Sequence, residues 1–230
     1  HYWQTAADPR AERDWSRTAK SQRARRAIVE PEPLGALRLR EVIAKKIVTR
    51  RGIEASADDI IVVNEAQQGL DLAARTLLDP GDVALMEEPH YNAARHLFLA
   101  AGASVATVPT DDDGAYLEAT PQRRIKLVYL TPSHQFPTGV SMSTARREQA
   151  RVWCENNGAW LLEDDFNSEY QYNLRCRDAI KAADRSGRVI YLATIARSIS
   201  PSVRLGYLVV PPALKEVFAS AKCVMDRGAF

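Results

Sequence analysis

The chain has 230 residues, 46% of them hydrophobic, with 31 Lys and Arg against 29 Asp and Glu and a formal net charge of +2. That apolar fraction excludes a disordered chain, and the near balance of charge gives no reason of its own to expect nucleic acid or a membrane surface as partner. No apolar run approaches the roughly 18 residues of a membrane span, and the scattered Cys154, Cys176 and Cys223 suit a reducing cytoplasm better than a disulfide framework or a zinc site.

Residues 1–32 are polar and basic, with Arg10, Arg13, Arg17, Lys20, Arg23, Arg25 and Arg26 interrupted by Glu12 and Asp14 and anchored by Trp15. This reads as a solvated helix or linker, or as the link to a preceding domain. Pro31, Pro33 and Gly35 then break the chain. The remainder, residues 33–230, alternates between helical and strand-like patterns.

Residues 36–50 have helical spacing, with Leu39, Val42, Ile43 and Ile47 on one face. A strand is predicted at 60–63 and a helix at 66–78. The Asp79-Pro80-Gly81-Asp82 turn leads to a strand at 83–86, a helix at 93–101 and a strand at 104–108. Asp111-Asp112-Asp113-Gly114 reads as a solvated turn rather than a metal site. Strands follow at 125–130 and 159–162, with a helix at 144–157 between them. Two more strands are predicted at 189–193 and 207–210, and Pro211-Pro212 opens a last helix. Seven strands separated by helices predict an α/β domain of three layers around a mainly parallel, mixed seven-stranded sheet. Ligands of such sheets bind beyond the carboxyl ends of the strands.

The residues at those ends are therefore the informative ones. They are Asn64-Glu65-Ala66-Gln67-Gln68, Glu87-Glu88-Pro89-His90-Tyr91, the run from Thr131 through Pro132, Ser133, His134, Gln135, Phe136, Pro137 and Thr138 to Gly139, Glu163-Asp164-Asp165-Phe166, and Thr194-Ile195-Ala196-Arg197-Ser198 with Arg204 beyond. Singly each is weak. Glu163 to Asp165 fits an acid/base pair or metal ligands, but a charged loop is commoner, and His134 fits a base or a structural histidine.

As an ordered set, together with Leu78-Asp79-Pro80-Gly81-Asp82 and Arg204-Leu205-Gly206-Tyr207, they resemble the aminotransferase-like domain of MocR-type regulators of the GntR superfamily. The resemblance runs from about Trp15 to the C-terminus. It implies the large domain of the fold of pyridoxal-phosphate (PLP) dependent transferases. In that family a winged helix upstream reads DNA, and a smaller C-terminal domain follows. The chain therefore reads as the large domain alone, and any DNA partner would bind through a domain outside it. The resemblance further implies a homodimer in the cytoplasm, with a small amino-acid-derived or phosphate-bearing ligand.

By the same resemblance Asp164 pairs with the pyridine nitrogen of PLP, Tyr91 stacks on the ring, and Arg204 clamps the phosphate. Thr194 lies in the phosphate-binding turn, Ala66 and Gln67 open the helix beside it, and His134 and Gln135 lie on the loop beneath the ring. The pattern is broken at four places, one of them a pair of residues. Arg197 stands where the family has the Schiff-base lysine. Its guanidinium stays charged, so it cannot become the neutral amine that a Schiff base requires. None of the seven lysines lies in an equivalent motif. Phe166 replaces a tyrosine hydroxyl donor, Asn64-Glu65 replaces a small pair ending in glycine, and Ala196 replaces a serine. No catalytic residue and no metal site is assigned. Covalent PLP is not expected, and a site that takes no cofactor is the further alternative. The expected function is an effector-sensing and dimerisation domain, with a working class I/II aminotransferase as the alternative.

Overall fold

The computed structural model describes residues 13–14, 32–120, 124–166, 178–195 and 204–227. Most of the basic stretch 1–32, together with Cys176, Ala196, Arg197 and Ser198, lies outside the described residues.

The chain enters through α1 (Leu37–Val42), which continues as a π turn over Ile43–Ile47 and a 3-10 turn over Val48–Arg51. Eight strands follow, β1 (Ile60–Val63), β2 (Val83–Glu88), β3 (Ser104–Asp111), β4 (Gly114–Ala115), β5 (Leu127–Leu130), β6 (Trp160–Asp164), β7 (Val189–Thr194) and β8 (Gly206–Val209). They are joined by α2 (Glu65–Leu77), α3 (Asn92–Ala100) and α4 (Thr144–Asn157), and α5 (Lys215–Asp226) closes the series. The helix α4 shows why the sequence signals work. Ser143 caps its start by accepting from the Arg146 amide, and Gly158 ends it at φ +66°.

The sheet order is β1-β8-β7-β6-β5-β2-β3-β4. The pairs β2–β3, β2–β5, β5–β6 and β6–β7 are parallel, whereas β8 runs antiparallel to both β1 and β7. The expected count of seven strands is corrected to eight. The extra strand, β4, is two residues paired antiparallel to the end of β3, too short to leave a periodic signal. Between them the acidic turn is held by the Asp113 amide donating to Asp111 Oδ1, and Arg146 pairs with Asp111.

Both faces of the sheet are covered, so its strands are apolar in both alternating sets. Leu127, Tyr129, Leu162, Ile190 and Leu192 face the layer of α2, α3 and α5. Val128, Leu130, Leu161 and Val189 face α4, and Ile60, Val62, Tyr191 and Val209 pack with Ile43 and Val48. A Cβ on Gly69 would lie 2.5 Å from Leu192 Cδ1, so glycine is what lets α2 press against β7. Because β8 is reversed, the carboxyl ends of β1, β2, β5, β6 and β7 and the start of β8 meet at one edge. No helix among the described residues is long and apolar enough to cross a membrane.

Candidate functional site

At that edge lies a cavity of about 250 Å³ lined by Glu65, Ala66, Gln67, Tyr91, Tyr129, Thr131, Phe136, Asp164, Phe166 and Thr194. Six of the residues expected from sequence, Ala66, Gln67, Tyr91, Asp164, Phe166 and Thr194, therefore share one cavity.

Asp164 is at its floor, 4% exposed, on the face of β6 that looks toward α2. The Tyr129 hydroxyl donates to its Oδ2 at 2.8 Å. Its Oδ1 is buried and has no hydrogen-bond partner among the described residues. Burial pushes its pKa up to about 7; the Tyr129 hydrogen bond and the Phe166 amide oppose this, while Asp165 and Glu87 add to it. A cation donating to Oδ1 would restore the ionised form.

The walls are aromatic. Phe136 meets Tyr91 edge-on at 5.5 Å and Phe166 at 6.4 Å between ring centroids. Burial, then Asp164 and Glu65, raise the Tyr91 pKa, so its phenol keeps its proton, and the hydroxyl lies 3.5 Å from Gln67 Oε1. The Thr194 hydroxyl donates to the Phe166 carbonyl and fixes the turn after β6 against the end of β7.

The loop after β5 is pinned rather than loose. The Thr131 amide and hydroxyl both donate to Glu87 Oε2, and Thr131 Oγ1 accepts from the Phe136 amide. Burial raises the Glu87 pKa to about 7, opposed by Thr131. Gln135 is buried and donates to the carbonyls of Pro89 and Phe136 while accepting from the Thr138 amide and hydroxyl. It acts as a brace for the loop that carries Phe136. His134 on the same loop is exposed and does not line the cavity.

The opposite end of the cavity is where α2 begins. Glu65 has φ +59°, in the left-handed region that favours glycine. Its backbone lies against Gly206, where a Cβ would come within 3.0 Å of the Glu65 carbonyl carbon and 3.1 Å of Ala193 O. The Glu65 carboxylate takes Arg204 Nη2 at 2.7 Å, with the two side chains 28% and 59% exposed. Arg204 thus reaches the cavity through Glu65 and does not itself line it.

On the far face of β6, Glu163 and Asp165 are buried acids, not members of an exposed charged loop. Glu163 accepts from the Ile180 and Lys181 amides and pairs with Arg147 at 3.5 Å. Asp165 Oδ2 takes Arg51 Nε at 2.7 Å and the Tyr191 hydroxyl. Alternation along the strand puts them opposite Asp164. No group of three or more His, Cys, Asp or Glu suited to a metal ion occurs among the described residues.

The sequence matches aminotransferase class I and II over residues 9–226. The chain belongs to that family. It is 41% identical over 184 residues to the probable rhizopine catabolism regulatory protein MocR of Rhizobium meliloti, covering 80% of this chain and 37% of that protein. It is 37% identical over 182 residues to the HTH-type transcriptional regulator TauR of Rhodobacter capsulatus, covering 79% of this chain and 37% of that one. Kynurenine aminotransferase of Pyrococcus horikoshii superposes with a TM-score of 0.86 at 31% identity, over 96% of this chain and 58% of that one. The chain therefore spans under two fifths of the length of those regulators and has the fold of PLP-dependent aminotransferases.

The family's cofactor fits one half of this aminotransferase-like site. The unpartnered Asp164 Oδ1 fits a protonated ring nitrogen, and Tyr91, Phe136 and Phe166 fit a flat ring. Among the described residues the other half does not fit. A ligand phosphate near the start of α2 would face the Glu65 carboxylate, which already holds Arg204.

Tyr129 lies outside the motifs at the strand ends, and nothing in them points to it. Its signal was the two-residue period, since Tyr129 pairs in register with Leu162, on the same face as Asp164. Glu65 departs from the family pattern, and its pairing with Arg204 is a tertiary contact that spacing does not reveal.

Proposed function

We propose that this chain is the ligand-sensing and dimerisation part of a MocR-type transcriptional regulator and does not carry out transamination. The observation that carries this reading is Asp164 Oδ1, buried without a partner at the floor of an aromatic-walled cavity. Such an atom is costly unless a ligand supplies a donor. Tyr129 holds Asp164 in place, Thr131 and Gln135 hold the loop carrying Phe136, and the three rings wall the cavity. These residues bind and orient a ring. By the resemblance Arg197 stands where the family has its reactive lysine, and a guanidinium cannot replace that amine. The site then works by occupancy rather than turnover. In this reading the protein is a cytoplasmic homodimer, and DNA is contacted by a winged-helix segment joined through the basic stretch 1–32.

The test is to incubate the protein with PLP, reduce with borohydride, and weigh the intact chain. No adduct is expected, and no amino donor should be transaminated. A specific covalent adduct, or turnover of an amino donor, would favour the aminotransferase reading instead. Light scattering tests the dimer, which a monomer would overturn.

A further inference from the structure

The cavity's charge points to a narrower class of ligand than its fold does. Among its described lining residues two carry carboxylates, Glu65 and Asp164, and none carries a cation. Asp164 is at the floor with Oδ1 open, and Glu65 is at the mouth of α2 with Arg204 on its carboxylate. A third acid, Glu87, lies behind Thr131 with its Oε1 also unpartnered. A dianion placed near the start of α2 would meet a fixed negative charge. Arg204, the cation held by the Glu65 carboxylate, is already paired. A flat cation or a neutral ring with one N–H donor would meet a complementary floor and apolar walls.

We propose that this cavity selects a small protonated nitrogen heteroaromatic that carries no phosphate, with Glu65 acting as the specificity residue that excludes a phosphorylated form. The proposal rests on the sensing reading above and adds the ligand's charge class to it. Asp164 accepts the ring N–H through Oδ1, Phe136, Phe166 and Tyr91 hold the ring, and the Glu65 carboxylate takes the place beside Arg204 that a ligand anion would otherwise claim. The left-handed backbone at Glu65 agrees with a side chain kept for its charge, since glycine would suit that φ better.

The probes are pyridoxamine and pyridoxamine 5′-phosphate, which lack an aldehyde, so covalent chemistry does not enter. Binding to the full chain is measured by calorimetry near neutral pH. The wild type is expected to prefer pyridoxamine by about five- to tenfold. Glu65→Gly should reverse the preference, because Arg204 is released and the fixed carboxylate is gone. Glu65→Gln, which keeps the side-chain size, should at least abolish it. Asp164→Asn should weaken both probes alike and leave their ratio unchanged. Wild-type binding of the phosphate form as tight as or tighter than that of pyridoxamine would overturn the assignment of Glu65 while leaving the sensing reading intact. So would a ratio unmoved in both Glu65 variants. Failure of the wild type to bind either probe would overturn this proposal. Binding unchanged by Asp164→Asn would overturn the sensing reading itself.

Discussion

Strand β6 ends in three consecutive acids, and its two faces treat them differently. On one face Glu163 and Asp165 are locked by Arg147 and Arg51, two backbone amides and the Tyr191 hydroxyl. On the other, Asp164 has one hydroxyl from Tyr129 and one open oxygen over a cavity. All three are buried carboxylates of similar type. Asp165 Oδ1 also lacks a hydrogen bond, so what separates a structural acid from a binding acid here is the charge partner: each acid of the first face carries an arginine, and Asp164 has no cation among the described residues.

The largest effect expected comes from breaking the locked face. In Arg51→Ala, Asp165 loses its ion pair, and Ser133 loses the Arg51 Nη2 donor at 2.7 Å. An uncompensated buried carboxylate should cost about 3–5 kcal/mol in denaturant unfolding. Adding Asp165→Asn should recover part of that loss, because the charge that needed a partner is gone. A loss below about 1 kcal/mol for Arg51→Ala would mean that this face is not held by its charges.

The open face should behave in the opposite sense and with pH. Asp164 and Glu87 both have native pKa values raised to about 7 by burial, against about 4 in an unfolded chain. Between those values the native state binds more protons than the unfolded one. Their contribution to stability is therefore full below about pH 4 and falls as the pH rises toward 7, by up to about 1.4 kcal/mol per pH unit for each group. Burial also raises the Glu163 pKa, which adds in the same sense. Asp164→Asn should remove its share of this slope and leave the protein more stable than wild type above pH 7, as measured by unfolding at about pH 5 and pH 8. A cationic ligand donating to Oδ1 should flatten the wild-type slope in the same way. An unchanged slope in Asp164→Asn would show that the open oxygen carries no such strain.

Much of this contrast was legible in the sequence. The strand pattern placed Asp164 at a carboxyl end, and the family resemblance singled it out over its neighbours. Six expected residues converge on one cavity because strand ends in a largely parallel sheet converge. What remained hidden depends on distance across the chain. Arg51 and Arg147 reach Asp165 and Glu163 from separate elements, so three adjacent acids looked like an exposed run. His134 was grouped with its motif, yet the loop turns it outward while Gln135 faces in. Strand β4 has too few residues for any period to show.

The smallest expected effect on stability is at the mouth of the cavity, and that is what makes it useful. In Glu65→Gly the chain is relieved of a left-handed backbone that costs a side-chain-bearing residue about 1–2 kcal/mol. Against this stand the greater freedom of glycine in the unfolded chain, about 0.5–1 kcal/mol, and a largely exposed ion pair worth at most about 1 kcal/mol. These nearly cancel, so denaturant unfolding should place the variant within about 1 kcal/mol of wild type. A change in ligand preference in a protein of unchanged stability then belongs to charge at the site. A loss of several kcal/mol would instead make Glu65 a structural acid, paired with Arg204 as Asp165 is paired with Arg51. The two ends of the cavity would then no longer differ in kind from the locked face of β6.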